Sequence, residues 1–179
     1  LVAALAADMS LYAGDYRSSE RTFELLMQAS GRAGRAEKAG EVVIQTYNPE
    51  EYSIQAVAGQ DAEYFYENEL AFRRLMKYPP YSQMAAILIL SEEENEAKTL
   101  SEKLAENIHS VCGDAVTLIG PSKAGLSRAK DRYRYVLYVK SMDEEAMACV
   151  REIAKEANRR VVNQKTCSVQ YDRDPVNGY

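Results

Sequence analysis

The segment Tyr78-Pro79-Pro80-Tyr81 constrains this 179-residue chain most. Two prolines in a row remove two backbone donors, cannot continue a helix, and bias the residue before each toward extended structure. A regular element arriving from the N-terminal side must stop there. The chain is therefore predicted to divide into residues 1–80 and residues 81–179. Its length suits one ordinary domain or two small ones, and it can bury a core without disulfide or metal staples. Hydrophobic residues make up 46% and charged residues 27%, a balance that excludes a disordered tail, a collagen-like chain and a coiled-coil rod. The apolar run Met84–Leu90 is far too short to span a bilayer.

Beyond the prolines the hydrophobic period switches repeatedly. Met84–Leu90 has the pattern of a buried strand. Glu92–Asn95 supplies an acidic helix start, and Ala97, Leu100, Leu104, Ile108 and Val111 recur at helical steps as far as Cys112-Gly113. Val116–Ile119 reads as a strand closed by Gly120-Pro121, and Lys123–Asp131 as a polar, basic loop. Arg132–Lys140 reads as a strand with Tyr133, Tyr135, Leu137 and Val139 on its core face. A second helix starts near Asp143, with Ala146, Met147, Val150, Ile153, Ala154 and Ala157 as its stripe. Cys167, Val169 and Tyr171 alternate with Ser168 and Gln170 in a last strand. The order β-α-β-β-α-β predicts a ferredoxin-like domain, one sheet with two helices on one face.

Before the prolines the elements are less self-contained. Arg17–Ala29 is predicted helical, Glu41–Tyr47 extended, and Ser53–Ala58 and Asp61–Met76 helical with a break at Gly59. This is too little strand for a closed α/β sheet, so residues 1–80 are expected to be the trailing part of a larger α/β domain. The opening LVAALAAD has no initiator Met and no signal-peptide pattern, and is expected to enter the chain in mid-strand, as a fragment would.

Cys112, Cys149 and Cys167 are far apart in sequence, with no CxxC pair, which argues against a zinc site and suits a reducing cytoplasm. His109 is the sole histidine and sits beside a helical stripe, so a histidine-based triad has little to build on. The formal charge is −5, but it is unevenly spread. Residues 121–140 hold Lys123, Arg128, Lys130, Arg132, Arg134 and Lys140 against Asp131 alone. Attraction to a polyanion acts over about a Debye length, so this local excess outweighs the global sign. With Arg132, Arg134, Tyr138 and Lys140 on the outward face of the predicted strand, the stretch combines cations for phosphate with an aromatic ring for base stacking. These residues are the candidate DNA contacts, the alternative being a solvated strand edge whose charges deter aggregation.

The sharpest motif is Gln28-Ala29-Ser30-Gly31-Arg32-Ala33-Gly34-Arg35. Glycine permits a sharp turn and close approach, and arginine presents a rigid charged fork to phosphate oxygens. On residue chemistry alone, a capped helix end with arginines answering the helix dipole fits equally well.

The string Q-x-x-G-R-x-G-R has the form of motif VI in superfamily 2 helicases. Ala7-Asp8, Asp15-Tyr16-Arg17 and Glu20-Arg21-Thr22-Phe23-Glu24-Leu25-Leu26 precede it. Gly40-Glu41-Val42-Val43-Ile44-Gln45-Thr46-Tyr47 and Lys77-Tyr78-Pro79-Pro80-Tyr81 follow it. As a set these segments resemble the primosomal protein N′ family, bacterial replication-restart DNA helicases. The resemblance runs the length of the chain and implies the end of a second RecA-like helicase lobe over residues 1–80, then a C-terminal domain. It implies an ATP-dependent DNA helicase with Mg-ATP as its nucleotide, Gln28, Gly31 and Arg32 near the γ-phosphate, and Arg35 as arginine finger. Asp8 matches the tail of motif V, which couples nucleotide and DNA sites, and is implied among the nucleotide-binding residues. The implied partners are branched and single-stranded DNA, single-stranded-DNA-binding protein and helicase-loading proteins of the primosome.

Gly14 and Ser30 are mild departures from the family pattern. The phosphate loop GxxxxGK[ST], a DExH-type acidic motif and the family's zinc-binding cysteines do not occur in these residues. This piece alone is therefore expected to be inactive, with zinc belonging to a region outside it. The competing reading is a non-catalytic DNA- or protein-docking module in which residues 1–80 are structural only.

Overall fold

The fold comes from a computed structural model that describes residues 1–12, 14–33, 41–129, 131–163, 165–175 and 178–179. Two compact units divide between Met76 and Lys77. No helix among the described residues is long and apolar enough to cross a membrane.

The first unit contains β1 (Val2–Ala4), a 3-10 turn (Ala7–Ser10), α1 (Ser18–Ala33), β2 (Val42–Ile44), α2 (Tyr52–Gly59) and α3 (Ala62–Met76). β1 and β2 pair in parallel, Val2 opposite Val42 and Ala4 opposite Ile44. Parallel neighbours need a crossover, and α1 lies in it. Phe23 and Leu26 of α1 pack with Ile54, Val57 and Phe65, and the Phe23 and Phe65 rings stack at 4.1 Å. The Glu51 carboxylate caps α2 by accepting the Ser53 N–H at 2.7 Å.

This unit also buries charge. Arg73 Nε donates to Glu69 Oε1 at 2.6 Å, and its terminal nitrogen donates to Glu20 at 3.0 Å. The Tyr52 hydroxyl donates to the other Glu69 oxygen at 2.5 Å. One Glu69–Arg73 pair on α3 thereby ties α1 and α2 together. Burial, reinforced by Glu69, raises the Tyr52 phenol well above its ordinary range.

Two expectations for this unit are corrected. α1 does not stop at Ala29 but runs through Ser30, Gly31 and Arg32 to Ala33. Ser30 Oγ donates back to the Leu26 carbonyl at 2.8 Å, and one exposed glycine, worth about 1 kcal/mol against alanine, is too small a penalty to end a helix. β2 is shorter than Glu41–Tyr47, because Thr46 and the Tyr47 N–H turn to Asp8 rather than continue a ladder.

The second unit contains β3 (Gln83–Ser91), α4 (Glu94–Cys112), a 3-10 turn (Gly113–Ala115), β4 (Thr117–Ala129), β5 (Arg132–Ser141), α5 (Glu144–Arg160) and β6 (Cys167–Arg173). The strands form one antiparallel sheet in the order β4-β5-β3-β6. This is the ferredoxin-like arrangement, with the two strands that feed helices at its centre. Ile87 and Ile89 of β3, Leu137 and Val139 of β5 and Val169 of β6 pack against Leu104 and Ile108 of α4 and Met147 and Val150 of α5. The two βα joints repeat one device. Ser91 Oγ accepts the Glu93 N–H at 3.1 Å, and Ser141 Oγ accepts the Asp143 N–H at 2.9 Å. Asp143 then caps α5, accepting from Glu145 and Ala146 at 2.8 and 3.3 Å.

Here the main correction concerns Lys123–Asp131. Most of that segment is not a loop: β4 runs from Thr117 to Ala129 through Gly120-Pro121. Its pairing with β5 shifts register between Ile119 and Ser122 and again between Lys123 and Arg128. Extra residues placed as bulges destroy the two-residue alternation by which a strand is recognised in sequence. Gly120 has φ +97°, and a Cβ there would lie 3.0 Å from the Val136 carbonyl oxygen, so the first irregularity requires glycine.

Candidate functional site

The motif-bearing stretch lies along one side of α1. Thr22, Phe23 and Leu26 are buried, while Glu24, Leu25, Gln28, Gly31 and Arg32 are exposed. Gln28 and Arg32 are one turn apart, so the helix aims an amide and a guanidinium the same way. Arg32 also stands at the carboxyl end, where the helix dipole favours a cation. The opposite end of α1 is fixed by Asp15, which accepts the Arg17 N–H at 3.0 Å and pairs with Arg21 at 2.5 Å, and by the Glu20–Arg73 pair. Arg35 lies outside the described residues.

Asp8 is placed differently. It is buried in the 3-10 turn after β1, where it accepts hydrogen bonds from the Thr46 hydroxyl and, at 2.7 Å, from the Tyr47 N–H. The Thr46 bond first, then the Tyr47 N–H, holds its carboxyl below the usual carboxylate range. The geometry makes Asp8 a clamp on the exit of β2. Beside that strand a cleft of about 760 Å³ is lined by Ser30, Ile44, Thr46, Glu50 and Gln55, among others.

The basic stretch 121–140 is split by strand pairing. Lys123 lies opposite Tyr135 and Arg128 opposite Tyr133. Directly opposed residues of an antiparallel pair share a face, so both cations are on the side that carries the helices. Arg132, Arg134, Tyr138 and Lys140 alternate onto the other side.

Each of these groups has an identified neighbour. Lys123 pairs with Glu94 of α4 at 2.5 Å, which raises the lysine and lowers the carboxyl from their ordinary values. Arg128 pairs with Asp131 at 3.3 Å and lies 5.3 Å from the Tyr133 ring centre. Arg132 donates to the Lys165 carbonyl, and Arg134 to the Leu126 carbonyl at 3.1 Å. Lys130 lies outside the described residues.

Lys140, expected on an outward face, is buried, with its ammonium 4.1 Å from the Tyr78 ring centre. Burial, and to a lesser degree Lys77, lowers its pKa. The outward face is itself partly covered. Ala86, Leu88, Ala124 and Val136 form a second small core with Tyr138 and Tyr179 against it. The Tyr138 hydroxyl accepts the Tyr179 N–H at 2.9 Å, and the Tyr179 hydroxyl donates to Asp172 at 2.6 Å. On the helix side Tyr135 is buried and Tyr133 half-buried, as their alternation predicted.

Sequence reasoning did not single out a groove of about 970 Å³ between α4 and α5, floored by Leu100, Leu104, Ile153 and Ala157. Its signal was the helical spacing of the two apolar stripes, whose Leu100, Ile153 and Ala157 pack only partly buried against the core.

A profile of the primosomal protein N C-terminal domain matches residues 74–176. The chain is 42% identical over 175 residues to the replication restart protein PriA of Bacillus subtilis, covering 98% of this chain and 22% of that protein. The protein of the same name from Synechocystis is 40% identical over 140 residues, covering 78% and 17%. The Thermotoga maritima protein is 35% identical over 145 residues, covering 81% and 19%. The chain thus spans about a fifth of the length of these relatives. Among solved structures, a de novo designed protein with a ferredoxin fold covers 54% of this chain at 16% identity and a TM-score of 0.35. The profile match takes in all of β3 to β6 with α4 and α5, and this chain belongs to the family of the primosomal protein N C-terminal domain.

Proposed function

We propose that this chain is the C-terminal part of an ATP-dependent DNA helicase that recognises stalled or abandoned replication forks and restarts replication by primosome assembly. Residues 1–80 are the end of its second RecA-like lobe with the following helices, and residues 81–179 are a DNA-binding C-terminal domain. The observation that carries the reading is the exposed Gln28–Arg32 stripe at the end of α1, within a parallel β1-α1-β2 crossover. In the full-length protein Gln28, Gly31 and Arg32 face the γ-phosphate of ATP, and Arg35 stabilises the charge that develops during phosphoryl transfer. Asp8 serves that site by holding the exit of β2. This chain brings arginines but no phosphate loop, so Mg-ATP is held by residues outside it, and the piece alone is inactive. Zinc likewise belongs to the rest of the protein. Lys123, Arg128, Lys130, Arg132, Arg134 and Tyr138 form the DNA surface, with buried Lys140 beneath it, and single-stranded-DNA-binding protein and helicase loaders are the protein partners.

The test is Arg35→Ala, with Arg32→Ala beside it, in the full-length enzyme. ATP turnover should fall by about 10³-fold or more while nucleotide affinity changes little. Near-normal turnover would sink the assignment. One observation favours a non-catalytic docking module instead: Arg132, Arg134 and Lys140 all have partners within their own unit. Salt-dependent affinity of the chain for DNA would support a DNA-docking module, and no binding at low salt would remove it and leave protein docking.

A further inference from the structure

We propose that the β4–β5 hairpin is a two-sided spacer between two separate DNA segments, with Lys123 and Arg128 meeting one phosphate backbone and Arg132 and Arg134 the other. The inference rests on the reading of residues 121–140 as a DNA contact, and adds how many backbones that contact takes.

The cross-strand register carries it. Lys123 and Arg128 oppose Tyr135 and Tyr133 and so share the helix-side face, whereas Arg132 and Arg134 alternate onto the other face. Charges on opposite faces of a sheet point away from each other and reach positions about 10 Å or more apart across its thickness. One backbone lying along one face cannot neutralise both pairs. The side chains of Lys123 and Arg128 are each 58% exposed, so a phosphate can reach them by displacing the Glu94 and Asp131 carboxylates that pair with them at 2.5 and 3.3 Å. Leu126, at the second register shift, is 61% exposed, which leaves this end of the hairpin uncovered.

A single duplex could in principle take a two-stranded ribbon into its major groove and touch both faces at once. The geometry disfavours that arrangement. Glu94, in the first turn of α4, holds the Lys123 ammonium at 2.5 Å, so the helix layer begins beside this cation. A helix is about 10 Å across, and the major groove is about 12 Å wide before the ribbon itself is counted. Ribbon and helix together exceed it. Two segments, one passing each face, meet no such obstruction, and a branch point is where two DNA segments diverge at that spacing.

The experiment titrates the 179-residue chain against a three-way junction with duplex arms and against a linear duplex of equal length and composition. Salt is varied from about 50 to about 200 mM. The slope of log affinity on log salt should be steeper for the junction by about 1.8, two additional phosphate contacts, which is about 12-fold more affinity lost over that range. Lys123→Gln with Arg128→Gln should abolish the extra slope on the junction, and so should Arg132→Gln with Arg134→Gln. On the linear duplex only one of the two double variants should lower the slope. Equal losses from both on the linear duplex would mean that one duplex grips both faces, and would overturn the proposal. So would full retention of junction slope by either double variant. Hydroxyl-radical footprinting of the unaltered chain needs no variant to fold, and protection of one arm only would also overturn it. Absence of salt-dependent binding to either DNA would remove the DNA-contact reading itself, a separate outcome from loss of the two-sided geometry.

Discussion

The two units solve the problem of holding helices in place by different means. The second unit buries a continuous apolar layer: the inner face of four strands against two amphipathic helices, with Ile87, Ile89, Leu137, Val139 and Val150 almost wholly buried. Among its described residues the first unit has two three-residue strands and a smaller apolar cluster, and supplements it with the Glu20–Arg73–Glu69–Tyr52 network. Apolar burial is non-directional and grows with area, so a four-stranded sheet with two helices can rely on it. A polar network stabilises only when every member is paired, but it fixes helix positions sharply. A unit with little sheet of its own benefits from that precision.

The contrast can be broken most strongly in the sheet. Leu137→Ala should destabilise the second unit by about 4 kcal/mol, the lost transfer energy plus an unfilled cavity. Hydrogen exchange during urea unfolding should show protection lost in β3, β5 and β6 while α1 to α3 keep theirs. Arg73→Ala tests the other side. It leaves Glu69 buried with the Tyr52 hydroxyl but without its cationic partner and should cost about 3 kcal/mol, seen as lost protection in α1 and α2 together. Replacing the pair jointly, Arg73→Met with Glu69→Leu, should recover most of that loss. If it does not, the network is a source of stability rather than of placement.

A smaller effect is expected at the helix cap. Asp143→Ala removes the acceptor for two N–H groups of α5 and should cost about 1 kcal/mol, confined to the second unit. The smallest test is by pH. Lys140 titrates below its usual 10.5 because it is buried. Below the folded-state value both folded and unfolded chains carry the charge, and the cost of burying it is full. Above 10.5 both are neutral and that cost is gone. Stability of the second unit should therefore rise as pH climbs through this window, and Lys140→Met should flatten the rise. An unchanged profile would mean that the Tyr78 ring compensates the charge fully.

Legibility in the sequence followed the same division. Continuous apolar runs and three- and four-residue steps located β3, α4, β5, α5 and β6 to within a few residues, because a buried sheet face and a helical stripe write their periods into the chain. β4 was misread beyond Ile119, since two register shifts erase its alternation over Lys123–Ala129. At the motif, Gly31 suggested a helix end, yet α1 continues across it, because one exposed glycine is outweighed by the turns on either side. The Glu69–Arg73 spacing is visible as an i,i+4 pair, but such pairs are usually exposed. Nothing local announces that this one is buried and reaches Glu20, 53 residues earlier.

Composition, the Pro79-Pro80 break and hydrophobic period were enough to specify a divided chain, a β-α-β-β-α-β second part and a Gly-Arg motif on the first. Those properties are local: each depends on residues within a few turns or one strand length. Which cations share a face, that Lys140 is covered by Tyr78, and that Asp8 serves the exit of β2 are properties of register and packing. They depend on which distant segment arrives opposite, and a shift of one residue in a strand exchanges the two faces entirely.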